Sequence, residues 1–206
     1  MTIESAEFVI GISSLSAGRT SGVQLPNDEL PEVVFLGRSN VGKSSLLNRL
    51  CGKKELSRTN ASPAKYREVN YYFVNRSLYF VDLPGYGYAK VPEQVRASWS
   101  NLIEEYLQRR RNVSVAVQIV DARHVPTELD LMMAGWIEYY HVPYIVVMTK
   151  ADKIARSKLA MYVDQTRAAF ARHRYMREIV PFSSVTGQGK QDLLNAIAHQ
   201  VRSAKD

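Results

Sequence analysis

Residues 37–44 read GRSNVGKS and carry the strongest chemical signal in the sequence. They match the phosphate-binding pattern in which two spaced glycines precede lysine and serine or threonine. Glycine lets the backbone turn tightly so that successive N–H groups converge on phosphate oxygens, and the following helix offers its positive end to the same anion. Lys43 is expected to reach the β- and γ-phosphates, and the Ser44 hydroxyl to bind Mg²⁺. The candidate phosphate-binding residues are Gly37, Arg38, Ser39, Asn40, Val41, Gly42, Lys43, Ser44 and Ser45.

A second candidate segment follows the apolar run at residues 78–81, where an acid is followed by a Leu-Pro-Gly turn. Asp82, at a strand end beside the phosphate loop, can hold Mg²⁺ through water. The Gly85 N–H can contact a γ-phosphate, so this turn can sense whether that group is present. Alone the pattern is usually an ordinary turn, but its place after a phosphate loop favours nucleotide contact. The site therefore includes Asp82, Leu83, Pro84 and Gly85, with Lys43 and Gly85 as the candidate catalytic residues.

Two further strand ends carry residues suited to a guanine base. Guanine presents a ring N–H beside an exocyclic amine, and one carboxylate can accept both bonds, which adenine does not offer. Asp152 is the candidate for this role, and the Lys150 stem can lie along the base. A backbone N–H near Ser183 could reach the guanine oxygen, although that signal is weak by itself. The candidate base contacts are Thr149, Lys150, Ala151, Asp152, Phe182, Ser183 and Ser184, and they disfavour an ATP-dependent kinase or ATPase.

These segments need a parallel sheet to bring them together. Apolar runs predict strands at residues 33–37, 69–75, 78–82, 115–121, 144–149 and 178–182, and amphipathic patterns predict helices at 44–51, 92–111, 127–140, 158–174 and 188–204. The short link at 75–77 predicts an antiparallel hairpin. We expect an α/β fold with a mostly parallel six-stranded sheet, one antiparallel edge strand and helices on both faces. The carboxyl ends of the parallel strands then share one edge, where one ligand can touch every candidate segment.

Composition fits one α/β domain of 206 residues, with 46% hydrophobic and 23% charged residues. We expect residues 1–31 to be an N-terminal extension packing on a domain at 32–206. No stretch approaches the ~18–20 apolar residues of a membrane span, and the N-terminus lacks a basic leader, so a cytoplasmic protein without membrane contact is expected. We also expect a monomer. The single cysteine, Cys51, excludes an internal disulfide and is expected to be buried and inert. The net charge of +7 fits an anionic partner such as nucleic acid or a generally basic surface equally well.

The segments GRSNVGKSSLLN, DLPGYGYAKVP, TKADK and FSS occur in an order that resembles the EngB (YihA/YsxC) family of bacterial ribosome-assembly GTPases, within the translation-factor-like class of P-loop GTPases. The resemblance covers nearly the whole chain. It implies binding of GTP and GDP, dependence on Mg²⁺, weak intrinsic hydrolysis, a role in assembling the large ribosomal subunit and a requirement for normal septation in cell division. It also implies that Asn40 lies where some related GTPases hold K⁺, although a plain loop-stabilising role for Asn40 is as plausible.

One segment departs from the family pattern. The first switch of the family usually reads Pro-Gly-Lys/Arg-Thr-Gln, with the threonine completing the Mg²⁺ shell. Here Tyr66 stands at the threonine position, and a phenol is a longer and poorer ligand for a small octahedral ion. Thr59, Ser62 or water are the alternative ligands. The predicted switch residues are Ala64, Lys65, Tyr66, Arg67 and Glu68.

The residue after Gly85 bears on catalysis, because many GTPases orient the attacking water with a glutamine at this position. Tyr86 carries no carboxamide, so we expect slow intrinsic turnover. Two functions stay open: a GTP-hydrolysing switch in ribosome assembly, and a GTP-gated binding module with negligible catalysis.

Ribosomal RNA would be the anionic partner, held through backbone charge and shape. Any one of the basic clusters by itself is more often a solvated helix end. The clusters are Arg109, Arg110 and Arg111; Arg167, Arg172, Arg174 and Arg177; and Lys65 with Arg67.

Overall fold

The computed structural model describes residues 1–13, 26, 28–57, 68–87 and 93–204, with the backbone alone at 93–100. The strands are β1 (Ala6–Ile12), β2 (Glu32–Gly37), β3 (Val69–Val74), β4 (Leu78–Asp82), β5 (Val113–Asp121), β6 (Tyr144–Thr149) and β7 (Met176–Pro181). The helices are α1 (Lys43–Cys51), α2 (Glu93–Arg109), α3 (Glu128–Tyr139), α4 (Arg156–Ala169) and α5 (Lys190–Ser203). None of these helices, as far as the structure describes them, carries an apolar stretch of bilayer-spanning length.

The described strands form one sheet in the order β1-β3-β4-β2-β5-β6-β7. The five strands from β4 to β7 in this order are parallel, and the predicted hairpin pairs β3 with β4 antiparallel. The carboxyl ends of β4, β2, β6 and β7 therefore share one edge, as the α/β prediction requires.

The predicted sheet of six strands is corrected to seven. Strand β1 pairs antiparallel with β3, so β1 and not the hairpin strand forms that edge. A register shift between Phe8 and Ile10 breaks the alternation of buried and exposed residues, and Phe8 is 56% exposed. An edge strand with an irregular pattern gives a weak sequence signal, which is why residues 6–12 were not among the predicted strands.

Helices cover both faces of the sheet, which confirms the predicted fold class. Helices α1 and α5 pack on one face through side chains such as Leu47 and Leu194. Helices α2 and α3 pack on the other through Ile103 and Ile137, together with Phe170 after α4. The central strands are buried on both sides and read as continuous apolar runs for that reason.

The predicted helix ends agree with the structure to within a few residues, except that α4 ends at Ala169 and not at residue 174. The spacing of Thr127 and Asp130 predicts a capping box at the start of α3, and the structure confirms it: Thr127 accepts from the Asp130 N–H, and Asp130 accepts from the Thr127 N–H. The helical spacing of Leu129 and Met133 predicts that both face the core, which is partly wrong because Leu129 is 38% exposed while Met133 is buried. On α2 the recurrence of apolar residues every three or four positions predicts one buried face, formed by Val95, Trp99, Leu102 and Tyr106. Leu102 and Tyr106 are buried as expected, and Val95 and Trp99 lie outside the described side chains.

Candidate functional site

The loop between β2 and α1 has the geometry that the phosphate-binding pattern predicts. Gly42 takes φ 106° and caps α1, a conformation that favours glycine. Gly37 has no room for a side chain, because a Cβ there would meet the Ile119 carbonyl oxygen at 2.9 Å. The Leu46 N–H donates to the Gly42 oxygen at 2.9 Å, so helix α1 starts directly at the loop. The free N–H groups of the first helical turn therefore open onto the loop.

Lys43 and Asp82 come from different candidate segments and are in direct contact. The Lys43 ammonium donates to Asp82 Oδ1 and to the Leu83 carbonyl oxygen, the latter at 2.7 Å. Burial lowers the pKa of Lys43 to about 7, with its side chain only 13% exposed. The other carboxylate oxygen of Asp82 accepts from Ser57 Oγ at 3.3 Å. A phosphate entering here would offer the buried ammonium a second anionic partner.

The oxygen groups around Asp82 suit Mg²⁺. Ser44, Ser57 and Asp82 line the same cavity, and Mg²⁺ prefers one or two protein oxygens completed by phosphate oxygens and water. Among the described residues no group of three or more His, Cys, Asp or Glu forms a metal cage. The donor set therefore fits an ion that is shared with a bound phosphate.

A cavity of about 620 Å³ joins three of the four candidate segments, and its volume is that of a typical small-molecule site. Its lining includes Lys43, Asp82, Gly85 and Lys150. The predicted residues Arg38, Ser39, Asn40, Gly42, Ser44, Ser45, Leu83 and Pro84 also line it, together with Phe8, Glu55, Leu56, Ser57, Glu68, Asn70 and Tyr72. Asp152 and residues 182–184 lie outside this lining.

The turn after β4 is hydrogen-bonded to the phosphate loop. The Ser39 N–H donates to the Tyr86 oxygen at 2.8 Å, and the Tyr86 N–H donates to the Gly37 oxygen at 3.3 Å. The Tyr86 ring is buried, and its hydroxyl donates to Asp130 Oδ1 at 3.1 Å. Burial and the neighbouring Asp130 carboxylate raise the pKa of Tyr86 well above its ordinary value. The Tyr86 hydroxyl therefore contacts the start of α3 through this hydrogen bond.

The two candidate base-binding segments contact each other. Asp152 Oδ1 accepts from Ser183 Oγ at 2.7 Å, and the Ala151 N–H donates to the Phe182 oxygen at 3.1 Å. The hydrogen bond from Ser183 lowers the pKa of Asp152, with a smaller contribution from Lys153. The Asp152 carboxylate therefore stays ionised at neutral pH and can act as an acceptor.

These base-binding segments are also tied to the phosphate loop. Thr149 Oγ1 lies 2.6 Å from the Val41 oxygen, and the Lys150 ammonium donates to the Asn40 oxygen at 3.0 Å. Asn40 has φ 61° and is exposed at the top of the loop. One edge of the sheet thus holds all four predicted segments.

Sequence reasoning missed Asp121 and Ser57. Asp121 ends β5 and accepts from the Lys150 ammonium at 2.8 Å, which fixes that side chain over the loop. Although burial opposes it, hydrogen bonds from Arg123 and Lys150 hold the pKa of Asp121 well below its usual range. The signal was an acid at the end of a predicted strand. Ser57 lies in a segment without any pattern, so no signal was available for it.

The predicted first switch is the part of the site that the described structure does not reach. Ala64, Lys65, Tyr66 and Arg67 lie outside the described residues, as do Thr59 and Ser62. Glu68 is described and lines the cavity. The ligand at the Tyr66 position therefore stays a prediction.

Comparisons with known proteins agree with this geometry. Residues 32–150 match a family model described as "50S ribosome-binding GTPase", and residues 99–203 match one described as "Elongation factor Tu GTP binding domain". The probable GTP-binding protein EngB of Heliobacterium modesticaldum is 44% identical over 197 residues, which cover 96% of this chain and 92% of that protein. The protein of the same name from Oceanobacillus iheyensis is 39% identical over 98% of this chain and 100% of its own.

Two solved structures of similar proteins superpose on this chain. A probable GTP-binding protein engB superposes with a TM-score of 0.72 at 25% identity, over 84% of this chain and 99% of that one. Era in complex with MgGDPNP and nucleotides 1506–1542 of 16S ribosomal RNA superposes with a TM-score of 0.60 at 25% identity, over 81% of this chain and 55% of Era.

Proposed function

The chain belongs to the EngB family of GTP-binding proteins, and from that premise we propose that it is a slow, Mg²⁺-dependent GTPase switch that assists assembly of the large ribosomal subunit in the cytoplasm. A requirement for normal septation follows from the same family resemblance. The observation that carries the proposal is the contact between Lys43 and Asp82, which joins the phosphate loop to the turn after β4 inside one cavity.

In this proposal the phosphate loop binds the polyphosphate. Lys43 exchanges its contacts with Asp82 and Leu83 for the β- and γ-phosphates, and the added negative charge favours its ammonium form. Ser44 and Asp82, the latter through water, would hold Mg²⁺, which would neutralise charge on the phosphate oxygens. The Gly85 N–H contacts the γ-phosphate and reports its presence.

Asp152 selects the base. Its ionised carboxylate accepts the ring N–H and the exocyclic amine of guanine. Ser183 orients the carboxylate from the side, since its hydroxyl donates to Oδ1. Lys150 lies along the base, held by the Asn40 oxygen and by Asp121.

Hydrolysis is slow because the residue directly after Gly85, where many GTPases orient the attacking water with a glutamine, is a tyrosine. Tyr86 has no carboxamide, and its hydroxyl is bonded to Asp130. Lys43 and the loop N–H groups still stabilise charge on the phosphate oxygens. A ribosomal partner, or K⁺ held near Asn40, supplies any acceleration of hydrolysis. Equal turnover in potassium and in sodium would exclude the role of K⁺.

The alternative is a GTP-gated ribosome-binding module with negligible catalysis. The buried contact between Tyr86 and Asp130 favours it, because this residue is already used for structure. In both functions the protein, whose net charge is +7, binds large ribosomal subunits and their rRNA. They differ only in whether GTP is cleaved.

Single-turnover release of phosphate from GTP, with and without purified large ribosomal subunits, separates the two functions. Release that subunits accelerate supports the switch, and release no faster than that of a Lys43→Ala variant supports the binding module. Co-sedimentation with subunits in GTP but not in GDP is expected in both cases. A protein that competes equally for GTP and ATP, or ignores subunits in both nucleotide states, contradicts the proposal.

A further inference from the structure

A second surface with ligand-binding chemistry lies at the opposite end of the sheet from the candidate nucleotide site. The loops α3–β6 and α4–β7 meet there, next to the residues where β6 and β7 begin. The candidate base contacts follow the other ends of these two strands. Strand β6 has six residues, and at ~3.3 Å per residue it separates the two surfaces by about 20 Å.

Aromatic and basic residues occur together at the ends of these two loops, and we define Tyr139, His141, Arg174, Tyr175 and Arg177 as the Tyr139 patch. Tyr139 is 75% exposed, more than any other large hydrophobic residue among those described. The His141 and Tyr175 rings lie 5.4 Å apart, and the Arg177 guanidinium carbon lies 5.9 Å from the centre of the Tyr175 ring. Both arginines are exposed.

The two loops of the patch are fixed to each other by Glu138. Its carboxylate accepts from the Arg174 N–H at 3.0 Å and from the Tyr175 N–H at 2.6 Å. The Tyr144 N–H donates to the Tyr175 oxygen, which ties the same turn to the sheet. The rings and guanidinium groups are thus carried by an ordered backbone. The Glu138 carboxylate between the two loops is satisfied by these backbone donors.

The chemistry of the patch indicates what binds it. Every aromatic ring in it has a polar group at its edge, and no aliphatic side chain is part of it, which is unlike an apolar groove for a helix. Exposed rings offer stacking platforms for nucleobases, and arginines pair with phosphates. Bases in a duplex are already stacked, so only an unpaired strand can use both features.

We infer that the Tyr139 patch binds an unpaired segment of RNA, with bases stacked on its exposed rings and phosphates paired with Arg174 and Arg177. This inference rests on the proposed function, because it names the surface through which the protein holds ribosomal RNA. It also separates Arg174 and Arg177 from three of the other arginines predicted to touch RNA, which already have acidic partners. Arg110 is paired with buried Glu32, Arg109 with Glu105, and Arg167 with Asp164.

The test uses the full chain and two fluorescein-labelled RNA probes, a 12-nucleotide single strand and a duplex of equal length, with binding followed by anisotropy. Tyr139→Ala should weaken single-strand binding by about 5-fold to 150-fold, the range of one base stack, and Tyr139→Phe should retain it. The pair Arg174→Gln with Arg177→Gln should reduce the slope of log K against log salt by about 1.4, for two lost phosphate contacts.

The matched control is the pair Arg156→Gln with Arg202→Gln, which removes the same charge from exposed positions on α4 and α5. It should leave most of the salt slope intact, and GTP affinity should be unchanged in every variant. An equal loss with the control pair, or duplex binding that exceeds single-strand binding, would mean that general charge is responsible and would overturn the inference.

Two outcomes distinguish the failure of this inference from the failure of the proposed function. Wild-type protein that co-sediments with ribosomal subunits in GTP but ignores the RNA single strand overturns only the Tyr139 patch, and points to a ribosomal protein as the partner. Wild-type protein that binds neither subunits nor GTP overturns the proposed function itself.

Discussion

Replacing Asp152 by asparagine tests the base-selection step, because the structure fixes how the new side chain must lie. Ser183 Oγ accepts from the Val185 and Thr186 N–H groups, at 3.2 and 3.1 Å, so its own proton goes to residue 152. In the variant the amide oxygen must accept that proton. The amide NH₂ then occupies the place of Oδ2 and faces the base as a donor.

The expected loss follows from the bonds that this orientation removes. Wild-type Asp152 would accept two charge-assisted hydrogen bonds from guanine, each of about 1.5–3 kcal/mol. In the variant, the amide NH₂ of residue 152 is a donor that faces the two donors of guanine. GTP affinity should therefore fall by roughly two to four orders of magnitude. Xanthine has a carbonyl oxygen where guanine has its amine, so XTP affinity should rise in the same variant.

Competition of GTP, XTP and ATP against a fluorescent guanine nucleotide measures both changes. Asp192→Asn is the matched control, since it makes the same chemical change at an exposed position on α5 and should leave all three affinities unaltered. Unchanged GTP affinity in Asp152→Asn would refute the assignment of Asp152 to the base. Weaker GTP binding without any gain for XTP would refute the orientation that we derive from Ser183.

Four further outcomes are expected from the buried contacts. Tyr86→Phe should leave single-turnover GTP hydrolysis within roughly twofold, because the phenol contacts Asp130 and no phosphate, while urea unfolding shows a loss of about 1–2 kcal/mol; a large fall in hydrolysis would place the hydroxyl in catalysis. Glu32→Gln should lower the free energy of unfolding by about 3–5 kcal/mol, because it leaves the partly buried Arg110 guanidinium without its buried counter-ion, and a loss below about 1 kcal/mol would contradict this. Asp130→Ala should lower the free energy of unfolding in urea by about 2–4 kcal/mol, because it removes both the helix cap and the partner of the Tyr86 hydroxyl. Asp130→Asn should lower it less, because the amide can bond to both the cap and the hydroxyl. Burial raises the pKa of Cys51 to about 11, so at pH 8 iodoacetamide should modify the native thiol far more slowly than the unfolded one, and stability should fall as pH rises from about 9 to 11; rapid native labelling would contradict the burial.

The sequence predicted those parts of the site that local physics imposes. The phosphate loop needs glycine where φ is positive or a neighbouring backbone is close, and Gly42 and Gly37 meet these conditions. Strands buried on both faces must be continuous apolar runs, so β2, β5 and β6 were visible. Strand β1 could not be predicted in this way. An edge strand with a bulge and an exposed face needs neither an alternating pattern nor a continuous run of apolar residues.

Asp130 shows why the remaining contacts could not be predicted from local pattern. The spacing of Thr127 and Asp130 indicates a helix cap, and one carboxylate oxygen, Oδ2, makes that cap. The other oxygen accepts from Tyr86, 44 residues earlier in the chain, and nothing in the cap pattern requires this second partner. Because a carboxylate has acceptor sites to spare, a local motif leaves its remaining bonds undetermined, and only the packing of α3 against the turn after β4 assigns them. The same reasoning applies to Glu138, whose place in a helix gives no sign that it joins the two loops of the Tyr139 patch. A sequence therefore defines what each functional segment is, while the fold decides which distant segments share a side chain.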